Sequence, residues 1–172
     1  TLAEFSSDTY ASGFQLLEQN ASGIANAYAG SAALADNAST IYFNPAGMTQ
    51  LQAREVSGGL AIVRPSFTFS NSGSSVGSVL GATGNGGDAG GWATIPNGYA
   101  SLALTKDLYA GIGFGAPFGL KTDYDDQWIG AAQATMFEVK TYNVNPSVAY
   151  RVNDKVSLGA GINWHRLEAT YK

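Results

Sequence analysis

Three groups of residues carry side chains able to do chemistry. Ser157, Asn163 and His165 fall on one parity of a single alternating run, and a serine, an imidazole and a polar orienter are the parts of a barrel lipid hydrolase. Their spacing spoils the pairing, because an extended chain puts Ser157 roughly 26 Å from His165 at about 3.3 Å per residue. A serine from another strand would have to serve; otherwise His165 and Arg166 mark the approach to an outer rim. No enzyme is expected. Asp123, Asp125 and Asp126 offer oxygens at a spacing that suits calcium. The central Gly and terminal Glu of a calcium loop are missing, so a solvated acidic loop is the expectation, with no metal and no cofactor. Gly115, Pro117 and Gly119 form the third group. Proline cannot donate to a β-ladder and the flanking glycines tolerate close approach, so the site either kinks a strand and opens a gap beside it or simply ends the strand.

Two further groups lie in the first 51 residues, a segment rich in Ala, Ser and Asn without sustained alternation. Phe14, Leu16 and Leu17 are an apolar cluster that either touches a ligand or packs against neighbouring structure. Asn44 followed by Pro45 and Ala46 suits the start of a helical turn running to Met48, since Asn caps an early N–H and Pro fits the first helical position. A simple Asn-Pro turn is the alternative; a cap would also pin the segment at one fixed point. Ser22 to Tyr28 is a short helix-like piece.

The elements that must position these residues are strands. Val156, Leu158, Ala160, Ile162 and Trp164 alternate with Ser157, Gly159, Gly161, Asn163 and His165, so one face is greasy and the other small and polar. That pattern fits lipid outside and a polar lumen inside. Similar runs span Arg54 to Phe69 with a phase slip near Arg64 and Pro65, Trp92 to Leu104, Leu108 onward, and Thr141 to Arg151. Long loops at Asn71 to Gly91 and Gly119 to Thr135 alternate with tight turns at Thr105 to Asp107 and Asn153 to Lys155. Short turns belong on the periplasmic side, so the long loops face the medium. Trp92, Trp128 and Trp164 suit the membrane interfaces.

Composition agrees without deciding. The 172 residues are 45% apolar and only 13% charged, with 22 glycines. No stretch reaches the eighteen or so apolar residues of a spanning helix, and the mean hydropathy of -0.04 fits a barrel wall whose polar residues face inward. A net charge of -4 offers no basic patch for phosphates, so nucleic acid is excluded as a partner. Cysteine is absent, which removes thiolate chemistry and disulfides. No basic and apolar leader opens the chain, the expectation for a processed polypeptide.

Five strands cannot close a membrane barrel, because an open edge in lipid leaves backbone groups unpaired at several kcal/mol each. The chain therefore reads as part of a longer barrel, or as one of several copies that close a barrel together. Its residues resemble a known family at several points. Gly13 to Leu16, then Ser22, Gly23, Ala27, Tyr28, Ala29 and Gly30, then Ala35, Asp36 and Asn37, then Asn44, Pro45 and Ala46 match, in order, the N-terminal signatures of FadL-type outer-membrane transporters of Gram-negative bacteria. Phe118, Gly119 and Leu120, and later Ala149 to Asn153, extend the resemblance.

The resemblance implies an antiparallel transmembrane barrel of fourteen strands plugged by an N-terminal hatch. Residues 1–51 would be an extension and hatch, and 52–172 the first five strands. It implies passive uptake of hydrophobic molecules, long-chain fatty acids first and aromatic hydrocarbons as an alternative, with lateral release at a kinked third strand. Phe14, Leu16 and Leu17 would then contact ligand, and Asn44, Pro45, Ala46, Gly115, Pro117 and Gly119 would gate. Expected partners are those solutes, membrane lipid and lipopolysaccharide, and the full-length barrel is expected to be monomeric. A structural or adhesion barrel acting through its loops, and a soluble β-sandwich, are the competing expectations.

Overall fold

The structure is a computed structural model, and it describes residues 15–73, 81 and 84–172. Thr1 to Ser12, Gly13, Phe14 and part of the first long loop (74–80, 82 and 83) lie outside the described residues.

From Arg54 onward the chain forms one antiparallel sheet. β1 (Arg54–Val63) pairs with β2 (Ala93–Ala103), β2 with β3 (Leu108–Gly115), and β3 with the long β5 (Met136–Arg151). β4 (Gly119–Asp123) follows β3 along the same edge of β5, since Gly115 lies opposite Asn143 and Gly119 opposite Lys140. β6 (Ser157–Gly161) and β7 (Trp164–Tyr171) share the other edge of β5. The wall thus has the five positions that the sequence predicts, two of them interrupted.

Several expected boundaries are corrected. The first strand ends at Val63 and not at Phe69, because Arg64 and Pro65 break it; pairing resumes beyond them, where Thr68 bridges Asp88 and Ala89 donates to the Phe67 carbonyl at 2.9 Å. The second long loop does not begin at Gly119, since β4 occupies its first residues, and the fourth wall strand begins at Met136, not near Thr141. The last run continues to Tyr171 with a break at Ile162 and Asn163. Opposite that break stands Pro146, which accepts from Ile162 N at 3.0 Å and has no N–H to return. Register is the same on both sides of it: Gly161 faces Ser147 and Trp164 faces Val144.

The two faces of the sheet are inverted relative to a water-soluble protein. Val56, Leu60, Ile62, Leu102, Ile112, Phe114, Val148, Leu158 and Ile162 stand exposed on one face, Val56 at 81%. On the other face Asn143 and Asn145 are 2% and 5% exposed, and Asn97, Ser101, Thr141 and Ser147 are buried with them. In water, apolar surface left uncovered forfeits about 25 cal/mol per Å², and a soluble monomer rarely exposes so continuous a patch. Hydrocarbon is the solvent for which this face is built. Its run from Tyr142 to Tyr150 on β5 matches the roughly nine to eleven residues of a tilted spanning strand.

The core lies against the polar face. Helices α1 (Ala21–Ala25) and α2 (Thr40–Phe43) and a 3-10 helix (Pro45–Gln50) precede the wall. From them Ala38, Ile41, Met48 and Leu51 pack on Tyr99, Tyr109 and Ala149 of the sheet. Gly111 makes room for this contact: a Cβ there would meet Met48 Sδ at 2.5 Å and Ile41 Cδ1 at 2.7 Å.

Beyond the membrane face, Asp88 ties the first long loop. Its carboxylate accepts from Phe67 N at 2.8 Å and Gly90 N at 3.0 Å. These bonds, Gly90 first, hold its pKa below the ordinary value. A depressed folded-state pKa gives stability that is present above the unfolded value of about 3.9 and is lost as pH falls through the lower folded value. Amide exchange at Phe67 and Gly90, corrected for intrinsic rates, is expected to rise as pH falls below about 4 and to go on rising through the lower folded-state pKa. Asp88→Ala should show the raised rate throughout and no step; a step that survives Asp88→Ala assigns the transition elsewhere.

Candidate functional site

The interruption between β3 and β4 differs in kind from the one beside Pro146. Ala116, Pro117 and Phe118 occupy the space opposite only Thr141 and Tyr142, so the register advances by one residue. This is a β-bulge, which bends its strand and disrupts the ladder. On the far edge, pairing between β2 and β3 stops at Asn97 opposite Gly115. Among the described residues Ala93 to Pro96 have no strand partner on that side, and a gap separates them from β4.

The N-terminal segment reaches into this gap. Gln15 bridges Phe118, and Leu16 N donates to the Pro117 carbonyl at 2.8 Å. A Cβ on Gly119 would stand 3.2 Å from Leu16 Cδ1, so the leucine lies against that glycine. Pro117 itself is fully buried. Gly115, Pro117, Gly119 and Leu16 are thus brought together, whereas Leu17 is 71% exposed. Phe14 lies outside the described residues. The segment is fastened from the sheet by Tyr99, whose hydroxyl donates to the Gln19 carbonyl at 2.9 Å. Tyr28 adds its own hydroxyl, accepting from Gln19 N at 2.8 Å.

Asn44, Pro45 and Ala46 stand elsewhere, at the other end of the wall. Asn44 caps the 3-10 helix by accepting from Ala46 N at 3.2 Å and donates to the Ala32 carbonyl at 2.9 Å, with Pro45 in the first turn, so of the two expected forms the capped turn is the one present. The turn sits on Gly159 of β6, where a Cβ would meet Ala46 N at 2.2 Å and the Pro45 carbonyl carbon at 2.8 Å. Thr49 Oγ1 bonds Ser157 Oγ at 2.8 Å, and Arg151 donates to the Thr49 carbonyl. A polar cavity of about 540 Å³ lies here between the turn and Arg151, Asn153, Asp154 and Lys155.

The kink also marks a reversal of the faces. Below it the outward parity is apolar; above it the same parity carries Lys121, Glu138, Lys140, Arg166 and Glu168. The inward parity becomes Leu120, Phe137, Val139, Leu167 and Tyr171, with the Phe137 and Tyr171 rings 6.3 Å apart. Ion pairs join Lys140 to Glu138 and Arg166 to Glu168, both at 2.9 Å. Charged residues do not face hydrocarbon, so the lipid boundary falls at about Tyr142 and Trp164, level with the bulge. Sequence reading missed this apolar inward row because it took Gly119 to Thr135 as loop and began the next strand near Thr141, which leaves out Leu120, Phe137 and Val139.

The remaining candidates are placed as follows. Ser157 is engaged by Thr49 and His165 lies beside Asn143 Nδ2 at 3.2 Å, so the two are not partners. His165 joins a row of inward amides in which Asn143 and Asn145 both donate to Asn163 Oδ1, at 3.1 and 2.7 Å. Asp123 pairs with Lys121 at 3.2 Å, and among the described residues no group of three His, Asp or Glu could hold a metal ion. Trp92 and Trp164 are exposed on the outward side. Trp128 is not an interface residue: it stacks on Tyr124 at 4.1 Å, meets Phe69 edge-on at 5.5 Å, and donates to the Ala134 carbonyl.

Residues 2–172 match the family described as outer membrane protein transport protein (OMPP1/FadL/TodX). The chain belongs to this family. Outer membrane protein P1 of Haemophilus influenzae is 34% identical over 89% of the chain and 36% of that protein. The long-chain fatty acid transport protein of Escherichia coli K12 is 29% identical over 94% of the chain and 35% of that protein. The chain thus spans about a third of the length of these curated relatives. A crystal structure of a Pseudomonas aeruginosa FadL homologue has the same fold, with a TM-score of 0.72 and 22% identity over 92% of the chain and 39% of the other. Family membership fixes an outer-membrane, multi-pass β-barrel location and leaves the buried amide row as a lumen face.

The seat of the Asn44 turn is testable. Gly159→Val in the full-length barrel is expected to displace Pro45 and Ala46 and to cost about 1–3 kcal/mol, the usual penalty of overpacking. A urea unfolding midpoint checks the loss, and faster exchange at residues 44–50 locates it. An unchanged midpoint with unchanged exchange would remove the seat.

Proposed function

We propose that this chain forms the hatch and first wall strands of a fourteen-stranded outer-membrane channel for hydrophobic molecules, long-chain fatty acids foremost. The observation that carries the reading is the gap beside Pro117, entered by Leu16 and level with the lipid boundary. Solute is captured outside, enters through a vestibule lined by the apolar inward row, meets Phe14, Leu16 and Leu17, and leaves sideways when the hatch withdraws from the bulge at Gly115, Pro117 and Gly119. Asn44, Pro45 and Ala46 hold the far end of the hatch fixed, so movement concentrates at the gap. Transfer is passive and needs no cofactor and no covalent step. The family is one of transport proteins, and both long-chain fatty acids and aromatic hydrocarbons suit a path whose affinity comes from apolar burial. The monomeric full-length barrel would meet lipid on its apolar face and lipopolysaccharide above it.

A second reading rests on the loops. Ile129 N donates to the Gly84 carbonyl at 2.9 Å and Asp125 N to the Gly86 carbonyl at 3.2 Å, joining both long loops into one external surface suited to adhesion. Deleting 71–91 would then abolish attachment and spare uptake, unless that loop builds the capture groove.

Cells carrying the full-length gene are expected to take up labelled oleate, toluene or both above an empty-vector control. Pro117→Ala and Phe14→Ala should lower the rate about fivefold or more, the factor carried by about 1 kcal/mol at the gate. Wild-type uptake equal to the empty vector would end the transport reading.

A further inference from the structure

A bulge ordinarily leaves backbone groups without partners, and in a membrane wall such groups cost several kcal/mol each. Phe118 stands at the centre of this one. In a regular pair its N–H would donate to the Thr141 carbonyl in return for the bond from Thr141 N to the Phe118 carbonyl. The second bond is made, at 3.1 Å. The first is not: Phe118 N donates instead to Thr141 Oγ1 at 2.9 Å. The same hydroxyl donates its own hydrogen to the Phe118 carbonyl, also at 2.9 Å. One buried side chain, 4% exposed, therefore satisfies both backbone groups of the displaced residue.

We infer that Thr141 is the clasp that sets the bulge, a positioning residue for the lateral opening that acts through Phe118 and Pro117 on Leu16. The inference rests on the lateral-exit reading for its functional consequence but not for its structural one. Fixing Phe118 on the β5 side fixes the adjoining Pro117 carbonyl on the opposite edge, where Leu16 N is received. Pro117 contributes no N–H, so nothing else in its own peptide can anchor it. Valine keeps the shape of threonine and removes the hydroxyl, which leaves the Phe118 N–H unpaired and the bulge free to shift. Serine keeps the hydroxyl and should keep the geometry. His165, whose ring centroid is 6.5 Å from that of Phe118, is the titratable neighbour on β7 and takes no part in the clasp.

The test uses the full-length barrel with Thr141→Val, Thr141→Ser and Thr141→Cys, whose thiol is a weak hydrogen-bonding group. Expected for Val is exchange at the Phe118 and Leu16 amides about fivefold faster or more, the factor of one net hydrogen bond, with Cys intermediate and Ser at wild type. The maximal rate of oleate uptake per folded barrel in the membrane should fall in the same order while half-saturation stays constant; the normalisation is what separates the clasp from mere loss of folded protein, which lowers only the total rate. If Val does not insert, Cys against Ser decides by the same readings. Wild-type exchange in both Val and Cys, or Ser behaving as Val, overturns the clasp. Absence of uptake in wild type overturns the transport reading and leaves the exchange measurement to decide the clasp by itself.

Discussion

Hydrocarbon supplies no hydrogen bonds, and that constraint governs this chain. Every N–H and C=O on a spanning segment must find its partner within the protein, because each unpaired group costs several kcal/mol. Strands meet the requirement through their neighbours, which makes the wall a ledger of pairs to be checked one by one. Along most of β1, β2, β3 and β5 the pairing is continuous and the side chains need only alternate. The exposed Val56, Leu60 and Ile62 and the buried Asn143 and Asn145 are the consequence, not the cause.

Departures from the ladder become informative against such a constraint. Apart from Pro65, which follows the end of β1, three prolines lie along the wall, and they have three different outcomes. Pro96 sits within β2 opposite Leu60 without interrupting that ladder, although β2 parts from β3 one residue away, at Asn97. Pro146 leaves a break in the neighbouring strand but no slip, because its carbonyl still receives Ile162 and amide side chains from Asn145 to Asn163 cross the adjoining pair. Pro117 alone coincides with a change of register. The missing N–H is common to all of them, so it cannot by itself be what opens the wall. What sets Pro117 apart is the extra residue in its strand and the substitutes on either side, Thr141 on one edge and Leu16 on the other.

The legibility of the fold follows the same division. Period-two alternation, which depends on each strand alone, could be read directly, and so the five wall positions and their lipid faces were visible; Asn44 was visible as a cap or a simple turn. Pro117 with its two glycines was visible as a kink or an end. The choice between those was not, because it turns on the register against Thr141, a residue some two dozen positions away. Above the lipid boundary the faces exchange character, so Lys121 looked like a loop residue and Glu138 and Lys140 were left outside the expected strand, when they are the outward row of paired strands. Trp128 misled for a similar reason. Its indole fits a membrane interface and a loop core equally well, and only the stack with Tyr124 separates them.

The reversal of faces bears on where a solute would part from the protein. Below the boundary the interior is lined by Asn143, Asn145 and Ser147, tied to one another and to Asn163, and offers an acyl chain no favourable surface. Above it the interior offers Leu120, Val139, Phe137 and Tyr171. An apolar molecule descending the vestibule therefore loses its apolar lining near the level at which the bilayer becomes available on the other side of the wall. At roughly 0.8 kcal/mol per methylene buried, continuing down a polar lumen is disfavoured against moving sideways into lipid by an amount that grows with chain length. The bulge sits at that level. A gap placed higher would open onto charged headgroups, and one placed lower would oblige the solute first to cross the amide row, so the position of the kink follows from the solvent on either side of the wall.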